Sequence, residues 1–239
     1  MLTVGSLFAG IGGFDLGLER AGMQVKWQVE IDSYCLKVLE KHWPHVRRYT
    51  DIKQVDWSTV EPVDLVCGGF PCQPVSVAGK RKGTADERWL WPEFVRCFSV
   101  LRPRYIVIEN VPGLLTANDG LAFAEVLRDV AACGYDAEWD CIPASAVGAP
   151  HWRDRCWAVA YTKSFDARLF REEGRSSLQP GNIPWREWVH RQTESPICRS
   201  DDELPERAYA IKALGNSIYP GVVEWIGRQI IRADAEYRT

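Results

Sequence analysis

The apolar run Val63-Asp64-Leu65-Val66-Cys67 breaks directly into Gly68-Gly69-Phe70-Pro71-Cys72-Gln73-Pro74. The run has the length and β-branched content of a buried strand. Pro71 and Pro74 each lack a backbone donor, so neither a helix interior nor a central ladder continues through them. Cys72 is therefore presented in a tight loop at the carboxyl end of a strand, where open α/β sheets bind ligands. A free cysteine taken alone is usually a small buried hydrophobe. What Cys72 does depends on what the rest of the chain brings to the same place.

The flanking sequence repeats one grammar of apolar strand, punctuated turn and helix. Leu2 to Phe8 is a short apolar strand that runs into Ala9-Gly10-Ile11-Gly12-Gly13, a glycine-rich turn opening a helix. Glycines permit either a tight βα turn or the close approach of a ligand to the main chain. Their spacing is not Gly-x-Gly-x-x-Gly, the pyrophosphate-binding pattern. Gln24 to Glu30 alternates, which places Val25, Trp27 and Val29 on one face of a second strand. Ser33 is the expected cap of a helix running to about Trp43. A weakly marked third strand precedes Asp51-Ile52. A helix is expected from about Glu87 to Leu101, then a buried strand, Tyr105 to Ile108, tipped by Glu109. Asn118 or Asp119 starts a helix that Gly134 ends, Asp136–Ile142 and Cys156–Tyr161 read as strands, and a last helix reaches about Arg232. Strands alternating with helices predict an α/β fold: a doubly wound, Rossmann-like sheet with helices on both faces.

Size and composition bound the function. The 239 residues suffice for one large α/β domain. A net charge of −3 excludes a domain that grips nucleic acid by overall charge, so any such contact must be local. The strongest basic run is Lys80-Arg81-Lys82, which reads as a solvated loop or a phosphate contact beside Cys72. The eight cysteines contain no Cys-x-x-Cys pair, which argues against a metal site. No signal peptide is legible at the N-terminus and no apolar run reaches membrane-spanning length, so a reducing cytoplasm is the expected location. From about Lys163 to Arg207 the character changes to Gly, Pro, Ser, Arg and Glu without a sustained period. This divides the chain into a main domain, 1–162 with 208–239, and a small irregular region, 163–207. That region interleaves Arg168, Arg171, Arg186 and Arg191 with Phe165, Phe170, Trp185 and Trp188, which suits DNA contact or a surface insertion.

Five further side chains stand at strand ends or starts. Glu30 lies about 20 residues past the glycine turn, where an acid in nucleotide-binding folds meets ribose hydroxyls. Asp51 is an adenine contact or a turn acid. Glu109 tips a fully apolar strand, an expensive place for an acid without a task. Cys72 and Glu109 end neighbouring strands in a doubly wound sheet, so both can face one pocket as nucleophile and proton donor. Arg153 and Arg155, two apart at a strand start, share a face, and suit either oxygen recognition or a solvated edge.

In this order, the motifs Leu7-Phe8-Ala9-Gly10-Ile11-Gly12-Gly13, Glu30, Gly69-Phe70-Pro71-Cys72-Gln73-Pro74, Glu109-Asn110-Val111, Arg153-x-Arg155 and Gly215-Asn216-Ser217 resemble the cytosine-C5 DNA methyltransferases, particularly the short phage and prophage forms. The resemblance spans Leu7 to about Pro220. It implies S-adenosylmethionine as cofactor, held by Phe8, Ala9, Gly10, Ile11, Gly12, Glu30, Ile31, Asp51, Ile52, Pro71, Leu90, Asn216 and Ser217. It implies Cys72, Glu109, Arg153 and Arg155 as catalytic residues, double-stranded DNA as partner with a flipped target cytosine, and 163–207 as a reduced target-recognition region. A monomer and a cognate restriction enzyme also belong to this expectation. Two departures stand out. The family often has an acid where this chain has Ser6, and a glutamine where it has His151. Two other readings stay open on the residues: a tRNA cytosine-5 methyltransferase, whose Cys-Phe-Thr signature is absent, and a non-catalytic relative that only binds DNA or cofactor.

Overall fold

The apolar runs line up side by side in one sheet. The computed structural model describes residues 1–71, 89–162, 213 and 217–237. Among them the strands are β1 (Thr3–Leu7), β2 (Gln24–Val29), β3 (Arg47–Tyr49), β4 (Leu65–Gly68), β5 (Tyr105–Asn110), β6 (Tyr135–Pro143) and β7 (Asp154–Thr162). The helices are α1 (Gly13–Arg20), α2 (Ser33–His42), α3 (Trp91–Leu101), α4 (Leu121–Ala132) and α5 (Pro220–Tyr237). The sheet order is β3-β2-β1-β4-β5-β7-β6. The first five strands pair in parallel, while β7 runs antiparallel to both β5 and β6. Only residues 144–153 separate β6 from β7. A parallel crossover needs a dozen or more residues, so the short connection returns antiparallel.

Each central strand is apolar on both sides because each face is covered. Val4, Leu65, Cys67, Tyr105, Val107 and Val159 meet Phe14 and Leu18 of α1 and Val222, Val223, Ile226 and Ile230 of α5. On the other face Leu7, Val66, Ile106, Ile108, Ala158 and Ala160 meet Phe94 and Phe98 of α3 and Phe123 and Val126 of α4. Asp234 of α5 pairs with Arg104 and accepts from the Tyr105 hydroxyl at 3.2 Å, which ties the last helix to the start of β5.

Three local expectations are corrected. Val25 does not share a face with Trp27 and Val29. The β1–β2 ladder shifts register between Val4 and Gly5, so Val25 packs toward α1 and α5 while Trp27 and Val29 pack toward α3. A bulge adds one residue, and with a side-chain period of two that reverses the facing of everything beyond it. The cap of α2 is Asp32, not Ser33: its carboxylate accepts from the backbone of Tyr34 at 2.9 Å and Cys35 at 3.1 Å. Neither Asn118 nor Asp119 starts α4. Both hold left-handed backbones, with φ of 52° and 55°, and the helix begins after Gly120.

Candidate active site

The glycine turn is built by both neighbouring strands. Phe8 leaves β1 with φ of 52°, and Gly10 and Gly12 follow at 56° and 89°. The Ala9 N–H donates to the Val29 carbonyl of β2 at 3.0 Å. The Gly10 N–H donates to Glu30 Oε2 at 2.7 Å, and Glu30 Oε1 accepts from the backbones of Ile31 and Asp32 at 2.8 and 2.7 Å. Three backbone donors therefore fix the Glu30 carboxylate, and a carboxylate has acceptor capacity left for a ligand. A side chain at Gly10 would meet nothing within 4 Å, so this stretch of main chain faces open space. Gly12 and Gly13 are small for another reason. A Cβ on them would lie 2.4 Å from the Trp43 ring and from the Ile218 carbonyl oxygen. Packing requires glycine at both positions, and the φ of 89° adds to that requirement at Gly12.

Phe8, Glu30, Ile31, Asp51, Ile52, Pro71 and Leu90 line one cavity of about 500 Å³, within the usual range of small-molecule sites. Asp51 also caps a short turn, accepting from the Lys53 backbone at 3.0 Å and the Gln54 amide at 3.2 Å. Its turn role is thus observed, and it still borders the cavity. Ala9 is buried beneath the turn. Ile11, Gly12 and Ser217 do not reach this cavity. They line a second one, about 990 Å³, with Trp43, His151, Arg153 and Tyr219. Asn216 lies outside the described residues.

Glu109 ends β5 beside β4, as the strand order requires. It is 9% exposed. Arg155 Nε sits 2.9 Å from its Oε1. Burial pushes the Glu109 carboxyl up to about 7, against the pull of the Arg155 and Arg153 guanidiniums. At neutral pH it is poised between acid and carboxylate. A Cβ on Gly69 would come within 2.6 Å of Glu109 Oε2, so the chain entering the cysteine loop passes close against this carboxyl.

Arg153 and Arg155 do not act as two steps on one strand. Arg155 lies in β7, whereas Arg153 precedes it with φ of 33°. That left-handed backbone is uncommon for arginine. It turns the guanidinium onto the Ser217 carbonyl, joining the strand start to the segment before α5. Asn110 is a residue that sequence reasoning did not single out. Its side-chain amide donates to the Phe70 carbonyl at 3.1 Å, and its oxygen accepts from the Val111 backbone at 2.9 Å. One buried amide thus clamps the loop after β4 to the end of β5. The motif Glu109-Asn110-Val111 was the available signal. The helix expected from about Glu87 begins later, at Trp91, with Leu90 as its cap. Cys72 itself, the basic run at 80–82 and region 163–207 lie outside the described residues.

The family model for C-5 cytosine-specific DNA methylases matches residues 2–197. The chain belongs to this family. It is 33% identical over 184 residues to Type II methyltransferase M.NgoFVII of Neisseria gonorrhoeae, covering 73% of this chain and 49% of the relative. A DNA modification methyltransferase encoded within an E. coli prophage has 30% identity and a TM-score of 0.58, over 69% of this chain and 47% of that one. Entamoeba histolytica methyltransferase EhMeth, at 15% identity, shares the fold with a TM-score of 0.67 over 97% of this chain and 98% of its own. The chain spans about half the length of the Neisseria and prophage relatives. Family membership and the observed sheet agree on a Rossmann-like methyltransferase architecture. Among the described residues no group of His, Cys, Asp and Glu could hold a metal ion, and no helix is long and apolar enough to cross a membrane.

Proposed function

We propose that the chain is a DNA (cytosine-5)-methyltransferase that adds a methyl group from S-adenosylmethionine to C5 of a cytosine flipped out of double-stranded DNA, through a transient bond between Cys72 and C6. The observation that carries this reading is the ion pair between buried Glu109 at the end of β5 and the half-buried Arg155 of β7, close against Gly69, which leads into Pro71.

The 500 Å³ cavity fits the cofactor in kind. Apolar Phe8, Ile31, Ile52 and Leu90 suit an adenine, the fixed Glu30 carboxylate suits ribose hydroxyls, and Asp51 suits an amino group. Gly10 donates its N–H to the Glu30 carboxylate that borders the cavity, and the reading adds Ala9, Ile11, Gly12, Asn216 and Ser217 as further cofactor contacts. When bound, S-adenosylmethionine supplies a methyl group on a sulfonium for the activated C5. The target base must leave the stack, because its reactive carbons are out of reach within a duplex. The Cys72 thiolate adds to C6, the ring electrons move onto C5, and C5 becomes enamine-like. Protonated Glu109 bonds N3 and takes up the charge that develops there. Arg155 holds Glu109, and Arg153 holds O2 of the base. Loss of the C5 proton returns the electron pair to the ring and expels the Cys72 thiolate.

The same reading takes 163–207 as the region that contacts the target, a cytoplasmic monomer as the working unit, and a restriction enzyme of matching specificity as its counterpart. Expression in a methylation-free bacterial host, followed by bisulfite mapping of the genome, tests it. Protected cytosines in one sequence context are expected. Methyl gain in tRNA alone would transfer the reading to RNA, and no gain in either nucleic acid would overturn it.

Gly69 offers a second check. Gly69→Ala is expected to lower methyl transfer by about 10²-fold, since displacing a catalytic group by an ångström costs that much. Cofactor affinity should change little, because residue 69 does not line the 500 Å³ cavity. Single-turnover rates beside calorimetric binding separate the two effects.

A further inference from the structure

A carboxyl that the proposed mechanism does not use sits behind the glycine turn. Asp15, in the first turn of α1, is fully buried, as are Ser6 and Gln28. The Ser6 hydroxyl donates to Asp15 Oδ2 at 3.2 Å and the Gln28 amide donates to Oδ1 at 2.8 Å. Ser6 belongs to β1, Gln28 to β2 and Asp15 to α1. The glycine turn joins β1 to α1, and β2 ends just before Glu30. One carboxyl therefore ties together the three elements that carry Gly10 and Glu30. The β2 bulge makes this possible, since Trp27 packs toward α3 and Gln28, its neighbour, points the other way, at α1.

Burying an acid costs free energy unless hydrogen bonds compensate it, so the arrangement calls for a reason beyond core filling. The junction it forms supplies one: Ser6 of β1 and Gln28 of β2 both bond the carboxyl of α1 behind the turn.

We infer that Asp15 is a positioning residue for the cofactor turn, a buried carboxyl of α1 that holds β1, β2 and α1 so that the Gly10 N–H meets the Glu30 carboxylate bordering the cavity. The inference rests on the proposed reading of that cavity as the cofactor site. Among the described residues, three charged or titratable groups act on Asp15 or on its hydrogen-bond partner. Glu19 acts from its own helix, the Cys67 thiol faces it from β4, and Arg48 of β3 reaches it through the Gln28 carbonyl at 3.5 Å. Burial raises Asp15 to about 6, while Gln28 and Ser6 pull it down. Its ionised form accepts from both donors at once, and the field at the start of α1 favours that form. Turn geometry should therefore tighten as pH rises through about 6.

The test is calorimetric titration of the full chain with S-adenosylhomocysteine, alongside thermal melts. Asp15→Ala should weaken binding by about tenfold or more, the effect of leaving buried donors unpaired. The exchange Ser6→Asp with Asp15→Ser conserves volume and should restore affinity to within about threefold of wild type. Wild-type affinity should rise between pH 5 and 7 about the value of 6 for Asp15, and Asp15→Asn should be flat across the same range. Wild-type affinity in Asp15→Ala, an exchange variant no better than Asp15→Ala, or the same pH profile in wild type and Asp15→Asn would each overturn the role of Asp15. If Asp15→Ala does not fold, the exchange variant and the Asp15→Asn profile decide. No binding by the wild type at any pH would overturn the cofactor reading itself, and this inference with it.

Discussion

Cys72→Ala is expected to abolish methyl transfer, by roughly 10⁴-fold or more, while leaving S-adenosylmethionine affinity within about twofold of wild type. C5 of cytosine is a poor nucleophile until a group adds at C6. Removing the thiol removes that addition, and no neighbouring hydroxyl or amine in Gly68-Gly69-Phe70-Pro71-Cys72-Gln73-Pro74 replaces it. The proposed cofactor contacts are with the cavity lined by Phe8, Glu30 and Leu90, not with the thiol, so binding should survive. DNA carrying 5-fluorocytosine gives an independent readout. Fluorine cannot leave as a proton, so the wild type should remain covalently attached to the DNA on a denaturing gel, and Cys72→Ala should not. Methylation by the alanine variant at the wild-type rate would remove Cys72 from the mechanism.

The second large effect falls on Glu109. Glu109→Ala should lower the single-turnover rate by about 10²–10³-fold, the range for removing one preorganised donor from a buried site. Its pH dependence carries the mechanism more directly. Burial raises this carboxyl from 4.5 to about 7, so the proton donated to N3 is present below neutrality and lost as pH rises through about 7. The wild-type rate should fall along that limb, and Glu109→Gln should be slower but lack it. Stability follows the same sign. Between pH 4.5 and about 7 the folded protein holds a proton on Glu109 that the unfolded chain has released. Folding stability is therefore fully contributed below that interval and declines as pH rises across it. Melts of Glu109→Gln should show a shallower decline, with Arg155 retaining a polar partner. A rate profile unchanged by Glu109→Gln would show that another group supplies the proton.

Much of this site was legible residue by residue. Glu30 and Glu109, two of the candidate residues, stand where apolar runs stop, and such a stop is visible without neighbours. Strand existence was equally plain, because central strands covered on both faces are continuously apolar. Other features needed partners distant in sequence. Gly12 reads as a cofactor glycine from the sequence, but only the fold shows that the Trp43 ring also leaves no room for a side chain there, as the Ile218 carbonyl does at Gly13. Arg153 and Arg155 looked like a pair on one strand face, yet a left-handed backbone at Arg153 sends its guanidinium to Ser217.

The sequence by itself determined which residues stand at the strand ends, and with them the family and the candidate chemistry, because chain-breaking and apolar periodicity are local properties of the backbone and side chains. Only the tertiary structure decided which way those residues face. The bulge after Val4 turned Gln28 toward Asp15, the short link between β6 and β7 placed Arg155 beside Glu109, and Asn110 clamped the loop after β4. Register, strand order and buried hydrogen bonds depend on contacts between segments many residues apart, and no local pattern encodes them.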